Sequence, residues 1–284
     1  MRTYTIAFMS HITKLVSDYN LISIIGSGTF GEVWKAQHIN TKKKVAIKIE
    51  RNWGKKCLKY ETIILRRLQS LDTVVKIKYY GVNSECNYLI MDLLNKPLNE
   101  YYNSLSRMCD RKYKRLKWIG LQMLTCIRSV HEHRIIHRDI KPSNFMLNAN
   151  NSAVIIIDFG LATQYMNSSG EHRKNKVGCG VLGTLRYMSN NIHDGNEPSR
   201  RDDIISMVYV LIFLIRGQLP WQGITCASKP ERVERIKQLK KSVSSAELCR
   251  HLPDKLIQLL DYCMGMYYSE DPDYDFIQFL LKTI

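Results

Sequence analysis

Two short segments in the middle of the chain contain the residues whose types and spacing most clearly serve chemistry. Residues 137–144 read His-Arg-Asp-Ile-Lys-Pro-Ser-Asn, and residues 157–160 read Ile-Asp-Phe-Gly after a short predicted hairpin. This order brings two carboxylates, a carboxamide and an ammonium group into loops beside strands. Such groups can orient an attacking hydroxyl and hold a divalent cation against phosphate oxygens. The two segments therefore predict phosphoryl transfer.

Each of these side chains has an expected role in that chemistry. Asp139 would accept or orient the proton of the attacking hydroxyl, and Lys141 would steady the γ-phosphate of ATP. Asn144 and Asp158 would bind the Mg²⁺ that bridges the phosphates. In the alternative interpretation the two aspartates are only turn residues beside strands, which leaves the whole ordered set unexplained. His137 is interpreted as a packing residue, because Asp139 already fills the role of base.

A glycine-rich run lies near the N-terminus, with the sequence G-S-G-T-F-G-E-V at residues 26–33. Missing side chains let backbone amides approach phosphate oxygens, although the run alone is a weak signal. A dinucleotide-binding turn would open a helix, whereas V-W-K-A at 33–36 continues as a strand. The run is therefore predicted to be a hairpin turn that covers phosphates.

The next segment, V-A-I-K at residues 45–48, alternates as a strand and ends on a lysine. Lys48 would point its ammonium group towards the α- and β-phosphates, provided that a carboxylate holds it. Glu61, on the following predicted helix, is the candidate partner. In the alternative interpretation, Lys48 is one more exposed lysine in a basic protein and Glu61 is an exposed helical charge.

Hydrophobic periodicity predicts the elements that must position these residues. Strands are predicted over residues 21–25, 33–37, 44–50 and 88–91. A helix is predicted over 55–70, and its apolar stripe is Leu58, Ile63, Ile64, Leu65 and Leu68.

The pattern changes to a helical one after residue 97. Apolar residues recur at helical spacing over 119–130, and residues 204–215 are apolar on nearly all faces. The fold class is therefore α+β, with a small sheet and one helix first and a mostly helical second half around one buried helix.

Composition places the chain among folded proteins. Its 284 residues, of which 45% are hydrophobic, can bury a sizeable core, and no apolar stretch reaches the ~20 residues of a membrane span. The first 13 residues lack the basic start and apolar run of a signal peptide. Eight cysteines without metal-ligand spacing fit reduced thiols. We expect a cytoplasmic protein, a nuclear protein, or one in both compartments.

The formal net charge of +16 predicts attraction to polyanions and acidic substrates. The basic residues are dispersed, and no zinc-finger spacing, aromatic RNP sequence or long basic arm accompanies them. No dedicated nucleic-acid binding is therefore expected.

Several phrases of the sequence point to one family. They are D-F-G-L-A at 158–162, G-T-L-R-Y at 183–187, S-R-R-D-D at 199–203 and L-P-W-Q-G at 219–223. At 189–191, S-N-N stands where most protein kinases carry Ala-Pro-Glu. With these phrases the chain resembles the protein kinase superfamily over nearly its full length and, more narrowly, the casein kinase I family.

The resemblance implies a two-lobed protein kinase fold, with a small N-terminal β-sheet lobe containing one main helix and a larger, mostly helical C-terminal lobe. It implies an N-terminal extension over 1–18 and a kinase domain over 19–284, the latter divided into an N-lobe (19–91), a hinge (92–95) and a C-lobe (96–284). It also implies ATP and Mg²⁺ as cofactors. The ATP contacts implied beside Lys48 are Ile25, Gly26, Gly28, Gly31, Val33, Ala46, Met91, Asp92, Leu94 and Leu147.

The resemblance further implies a serine/threonine kinase whose protein substrates are acidic or already phosphorylated. Arg186 and Arg232 match one anion pocket of that family, and Arg138 with Lys176 matches a neighbouring one. Lys176 and Arg232 could instead simply face water. Thr163 replaces a residue that is often basic in the family, so the second anion site is expected to be weaker. The loop 176–182 is longer than in the family, which leaves the placement of Lys176 open.

Three functions remain open on these residues. An active kinase needs Lys48, Glu61, Asp139, Asn144 and Asp158, all of which are present. A pseudokinase scaffold would bind partners through its basic face and has no need for this set. A polyanion-binding protein of kinase ancestry would show salt-sensitive affinity for nucleic acid. We favour the active kinase and expect a monomer, with Asp203 placed where it could brace the loop around Asp139.

Overall fold

The computed structural model describes residues 18–28, 31–51, 57–104 and 109–284. The chain divides into two compact units, Met1–Asn95 and Lys96–Ile284. The predicted N-terminal extension lies outside the described residues, apart from Asp18. Within the described ranges, no helix combines the length and apolar character that crossing a membrane would require.

The first unit contains a five-stranded antiparallel sheet in the order β1-β2-β3-β5-β4. Its strands are β1 (Tyr19–Gly28), β2 (Gly31–His38), β3 (Lys44–Arg51), β4 (Ile77–Val82) and β5 (Cys86–Asp92). The four predicted strands are confirmed. The sequence did not predict β4, because its apolar residues do not alternate strictly and Tyr79 and Val82 stay exposed.

One helix follows β3, α1 (Cys57–Arg67). Leu58, Ile64, Leu65 and Leu68 of the predicted stripe are buried, but the prediction for Ile63 is wrong, since it is 43% exposed. Ile63 lies five residues after Leu58, which places it on a different face of the helix. Glu61 and Thr62 take the buried positions between Leu58 and Leu65 instead. The predicted start of this helix, at residue 55, lies outside the described residues.

The second unit is mainly helical. Its helices are α2 (Leu98–Asn103), α3 (Cys109–Glu132), α4 (Asn190–His193), α5 (Arg200–Arg216), α6 (Lys229–Ser242), α7 (Ser245–Leu248), α8 (Asp254–Gly265) and α9 (Tyr274–Lys282). Two short antiparallel pairs join them, β6 (Ile135–Ile136) with β9 (Thr163–Gln164) and β7 (Phe145–Leu147) with β8 (Val154–Ile156). A 3₁₀ turn, Pro142–Asn144, precedes β7.

Helix α5 forms the centre of the second unit, and α3 and α8 pack against it. All of residues 204–215 are buried except Phe213, so the predicted buried helix is confirmed with that one exception. The helix begins at a capping box between Ser199 and Asp202 and ends at Gly217, whose φ of 82° suits glycine. The apolar positions predicted over 119–130 lie on α3 and are buried.

Candidate active site

In the first unit, Lys48 and Glu61 form a buried ion pair. Lys48 Nζ lies 2.7 Å from Glu61 Oε2, and the two residues are 7% and 2% exposed. Breaking such a pair would leave one uncompensated buried charge. Because both residues are buried, the alternative interpretation of two exposed charges is wrong. The ammonium group of Lys48 is held by the carboxylate of Glu61, as proposed from the sequence.

A second glutamate fixes the start of the helix that carries Glu61. Glu50 is at the end of β3, and its Oε1 accepts hydrogen bonds from the backbone N–H groups of Cys57 (2.7 Å) and Leu58 (3.0 Å). A carboxylate at a helix N-terminus satisfies unpaired N–H groups and suits the helix dipole. Its other oxygen accepts from Asn87 Nδ2 at 3.1 Å. Glu50 was not predicted from the sequence, because its contact with the helix start depends on the fold.

The glycine-rich run lies in the hairpin between β1 and β2, as predicted, with Gly26 opposite Val33 and Gly28 opposite Gly31. Thr29 and Phe30 lie outside the described residues. Gly31 has a φ of 113°, and a Cβ there would lie 2.0 Å from Ile49 O. No other residue fits that position without moving β3.

The remaining ATP contacts implied for the first unit fall at different depths. Ala46 is buried on β3, Val33 and Met91 are half-buried, and Ile25 is 48% exposed. Asp92 is the last residue of β5; its carboxylate lies 2.5 Å from Lys78 Nζ and its N–H donates to Lys76 O. Leu94 follows the strand and is half-buried. In the second unit, Leu147 is fully buried on β7. Their contact with ATP stays a prediction.

In the second unit, residues 137–144, here called the catalytic loop, surround the carboxylate of Asp139. Asp139 Oδ2 accepts from Lys141 Nζ at 2.6 Å and from Asn144 Nδ2 at 3.4 Å. Asp139 Oδ1 accepts from the backbone N–H (2.9 Å) and the hydroxyl (2.7 Å) of Thr184. The carboxylate is thus oriented from both sides. This role of Thr184 was not predicted from the sequence, although the residue belongs to the G-T-L-R-Y phrase at 183–187.

Glycine is required at the residue before Thr184. Gly183 has a φ of 104°, and a Cβ there would lie 2.7 Å from Arg138 O and 3.6 Å from Asp139 Oδ1. Only a glycine lets the chain of 183–191, here called the pocket segment, come this close to the catalytic loop.

The backbone of the catalytic loop is held by Asp203, as the sequence analysis expected. Asp203 accepts from His137 N (2.7 Å) and Arg138 N (2.9 Å), and its Oδ2 lies 3.0 Å from His131 Nε2. Burial alone would raise the pKa of Asp203, but the hydrogen bond from His131 and the nearby His137 lower it below its ordinary value of 3.8. Arg138 adopts a φ of 66°, a strained conformation that this network maintains.

His137 is a packing residue, as interpreted from the sequence. It is 1% exposed, and its ring packs edge to face on Phe159 with centroids 5.0 Å apart. Nδ1 accepts from Asp139 N (3.3 Å), so Nε2 carries the proton that is donated to Ile157 O (3.0 Å). Both ring nitrogens therefore hold backbone groups in place.

Asn144 and Asp158 are suitable ligands for Mg²⁺. Ile157 N donates to Asn144 O at 2.9 Å, so Asp158 follows directly after a residue tied to Asn144. The amide nitrogen of Asn144 donates to Asp139 O at 2.9 Å, which leaves its oxygen as the atom for a cation. Carboxylate and carboxamide oxygens are the ligands that Mg²⁺ prefers. Asp158 has a φ of 64°, a strained backbone of the kind found at functional sites.

Two of the four predicted anion-binding residues line one pocket of the second unit. The pocket has a volume of about 540 Å³ and contains both Arg186 and Arg232, together with Lys141. Its other lining residues are Asn99, Pro142, Ser143, Thr184, Leu185, Tyr187 and Phe213. The guanidinium carbon of Arg186 lies 5.4 Å from the Phe213 ring centroid, and Phe213, the one residue of 204–215 that is not buried, lines the pocket.

Arg138 and Lys176 do not line this pocket. Arg138 Nε donates to Leu161 O at 2.6 Å. Lys176 is exposed, and its carbonyl accepts from Glu197 N at 2.9 Å. The longer loop 176–182 contacts the chain close to Glu197 a second time, since Cys179 N donates to Gly195 O. The second anion site stays a prediction.

The family model of the protein kinase domain matches residues 19–272. The chain therefore belongs to the protein kinase family, a class of phosphotransferases that act on proteins and use ATP, usually with Mg²⁺.

Proposed function

We propose that this kinase is a serine/threonine kinase of casein kinase I type, which transfers the γ-phosphate of Mg·ATP to serine or threonine residues near acidic or phosphorylated residues. The serine/threonine assignment and the subclass rest on the phrases of the sequence that resemble casein kinase I. The preference for acidic or primed substrates is supported by the pocket that contains Lys141, Arg186 and Arg232.

The geometry around Asp139 supports an active enzyme over a scaffold. Asp139 has four hydrogen-bond donors around it, so its carboxylate direction is fixed before a substrate binds. Such preorganisation is what a base or orienting group needs, because little rearrangement remains for the reaction step. Lys141 places a positive charge beside the carboxylate, where it would contact the transferred phosphoryl group. Mg²⁺ on Asn144 and Asp158 would neutralise charge on the phosphates when bound.

The proposed substrate preference rests mainly on the 540 Å³ pocket. It joins Lys141, beside Asp139, to two guanidinium groups from different parts of the fold, Arg186 on the pocket segment and Arg232 on α6. A phosphoserine carries about −1.5 to −2 charge at neutral pH and offers three acceptor oxygens. Guanidinium groups bind such oxygens through charge-assisted, often bidentate hydrogen bonds. A phosphate in this pocket would therefore place the neighbouring part of the substrate near Asp139.

Activity itself is tested by transfer from labelled ATP to casein and to an acidic peptide, with and without Mg²⁺. The expected result is Mg²⁺-dependent labelling, with label only on phosphoserine and phosphothreonine after acid hydrolysis. A folded protein that labels neither substrate would contradict the proposal and favour a scaffold.

The substrate preference is tested with Arg186→Ala on one peptide in two forms, with and without a phosphoserine three residues before the acceptor. Loss of a charge-assisted contact of roughly 1.5–3 kcal/mol should lower kcat/KM for the primed peptide by about one to two decades. The unprimed peptide should change much less. Salt is held constant, because ions screen exposed pairs.

The matched control is Arg235→Ala, since Arg235 is an exposed arginine on the same helix as Arg232 but not part of the pocket lining. It should leave the ratio of primed to unprimed kcat/KM unchanged. Equal losses on both peptides in Arg186→Ala would mean that Arg186 supports the fold, and the substrate preference would have to be given up.

A further inference from the structure

Two buried side chains that the proposed function does not use hold the backbone of the pocket segment. Lys240 on α6 is 2% exposed, and its Nζ donates to Leu185 O (2.8 Å) and Met188 O (2.5 Å). Trp221 is also 2% exposed, and its Nε1 donates to Arg186 O (2.7 Å). The carbonyl groups on both sides of the Arg186 side chain, and its own, are therefore fixed.

The surroundings of Lys240 are costly for a charged group. Its Nζ lies 5.1 Å from the ring centroid of Trp221 and 5.4 Å from that of Tyr209, and these two rings meet edge to face at 5.2 Å. Burial lowers the pKa of Lys240 well below its ordinary value, whereas the two carbonyls and the two aromatic faces favour the ammonium form. An apolar side chain of similar size would avoid the desolvation of an amine. The contribution of Lys240 must therefore come from the hydrogen bonds that its amine donates to Leu185 O and Met188 O.

The amine of Lys240 joins the two parts of the fold that carry the two arginines of the pocket. Arg232 and Lys240 are on the same helix, α6, while Arg186 is on the pocket segment. The hydrogen bonds from Lys240 to Leu185 and Met188 join that helix to the residues on either side of Arg186. The distance between the two guanidinium groups therefore depends on this junction.

We propose that Lys240 and Trp221 are positioning residues, which set the spacing and direction of Arg186 relative to Arg232 and so determine how well a phosphorylated substrate is recognised. This inference rests on the proposed function of the pocket. Neither side chain lines the pocket, so both act through the backbone that carries Arg186.

The outer face of α6 offers a matched control. Asp194 lies 2.7 Å from Lys241 Nζ and 3.1 Å from Lys237 Nζ, and the side chain of Lys241 is 47% exposed. These pairs also join α6 to the chain beyond the pocket segment, but exposed ion pairs contribute little. Lys241→Met removes a lysine from the neighbouring position of the same helix without disturbing the buried contacts.

The experiment compares Lys240→Met, Trp221→Phe and Lys241→Met with the parent enzyme, using the primed and unprimed forms of one peptide. Lys240→Met keeps an unbranched side chain of similar length and removes its donors, and Trp221→Phe keeps an aromatic ring and removes the donor to Arg186 O. Each of these two should raise KM for the primed peptide by about tenfold, with kcat, KM for ATP and the unprimed peptide changing much less. Lys241→Met should match the parent.

A double-variant cycle separates positioning from general stability. In an Arg186→Ala background, Lys240→Met and Trp221→Phe should cause no further loss of preference for the primed peptide, because they act through the same arginine. Additive losses, equal losses on both peptides, or an unchanged preference would overturn the inference. If Lys240→Met does not fold, Trp221→Phe decides between these outcomes. If Arg186→Ala alone leaves the preference intact, the proposed function fails instead.

Discussion

Two consecutive carboxylates at the start of α5, Asp202 and Asp203, hold two different regions of the second unit. Asp203 binds the catalytic loop through the backbone N–H groups of His137 and Arg138. Asp202 binds the pocket segment, since its Oδ1 accepts from Ser189 Oγ at 2.5 Å and from Asn191 Nδ2 at 3.1 Å. The Ser-x-Asn phrase that distinguishes this chain from most kinases thus has a structural partner in Asp202.

The two carboxylates differ in their electrostatic environment although both are buried. Burial raises the pKa of Asp202 above 3.8, and its donors, which are Ser189, Ser199 and Asn191, offset the effect only in part. At Asp203 the hydrogen bond from His131 and the proximity of His137 outweigh burial, so the pKa is lowered. The catalytic loop is therefore held by a carboxylate stabilised as an anion, and the pocket segment by one that burial destabilises as an anion.

We therefore expect the catalytic loop to be held more rigidly than the pocket segment. A carboxylate with backbone N–H donors and an imidazole fixes the loop around Asp139 at all moderate pH values. The pocket segment depends on neutral hydroxyl and amide donors, together with Lys240 and Trp221 behind it. Asp139 joins the two regions, because Lys141 belongs to the catalytic loop and Thr184 to the pocket segment.

The largest expected effect comes from Asp139→Asn, which breaks the link between the two regions. An amide would turn an N–H group towards one of the donors around Asp139 and could not accept a proton from the substrate. We expect turnover to fall by about 10²–10⁴-fold with the fold retained. Peptide phosphorylation rates and circular dichroism measure the two quantities. Full activity in a well-folded variant would contradict the proposed mechanism.

Asp203→Asn should weaken the catalytic loop and the fold together. Replacing a buried carboxylate that holds three donors should lower the free energy of unfolding by about 3–5 kcal/mol. The lowered pKa of Asp203 means that its stabilisation is complete above pH 3.8 and is lost as the pH falls through the lower folded value. Chemical unfolding of parent and variant should therefore show a constant difference between pH 5 and pH 7. A difference that changes steeply in this range would show that the pKa is not lowered.

Asp202→Asn should cost less and show the opposite pH dependence. All described donors to Asp202 apart from Arg201, 3.9 Å away, are neutral, so we expect a loss of about 1 kcal/mol. With its folded pKa raised, the contribution of Asp202 is greatest below pH 3.8 and decreases as the pH rises towards the folded value. The difference between parent and variant should therefore shrink as the pH rises. A flat difference would mean that the two carboxylates are equivalent.

The sequence predicted residues of short motifs better than residues that make contacts between distant parts of the chain. Lys48, Asp139 and Asn144 could be named as candidates because their spacing in short motifs is typical of phosphoryl transfer, and Glu61 because it is a carboxylate on the next predicted helix. The strand pattern placed Lys48 on β3 and the helix pattern placed Glu61 on α1, since most of the hydrophobic residues of these two elements alternate or recur with a clear period.

The residues that were missed make contacts over long separations in sequence. Glu50 binds Asn87 across 37 residues, Thr184 binds Asp139 across 45, and Lys240 binds Met188 across 52. No local pattern distinguishes these side chains from other charged or polar residues. Lys240 in particular lies in a helix rich in exposed lysines and arginines, so its burial could only be found in the structure.

The smallest expected effect on turnover comes from Tyr274 on α9, which lies two residues beyond the matched kinase domain. Its hydroxyl lies 2.8 Å from His131 Nδ1, while His131 Nε2 lies 3.0 Å from Asp203 Oδ2, so the last helix is connected to the carboxylate that holds the catalytic loop. Tyr274→Phe removes one hydrogen bond and keeps the ring, so we expect about 1 kcal/mol less stability and a few-fold fall in kcat at unchanged KM. The control is Tyr262→Phe, since the Tyr262 hydroxyl accepts from Asp273 N at 2.8 Å at the start of the same helix but, within the part of the chain that the structure describes, forms no hydrogen bond with His131. That variant should lose similar stability without a change in kcat. If both variants lower kcat equally, α9 acts only by supporting the fold, and the connection through His131 has no part in holding the catalytic loop.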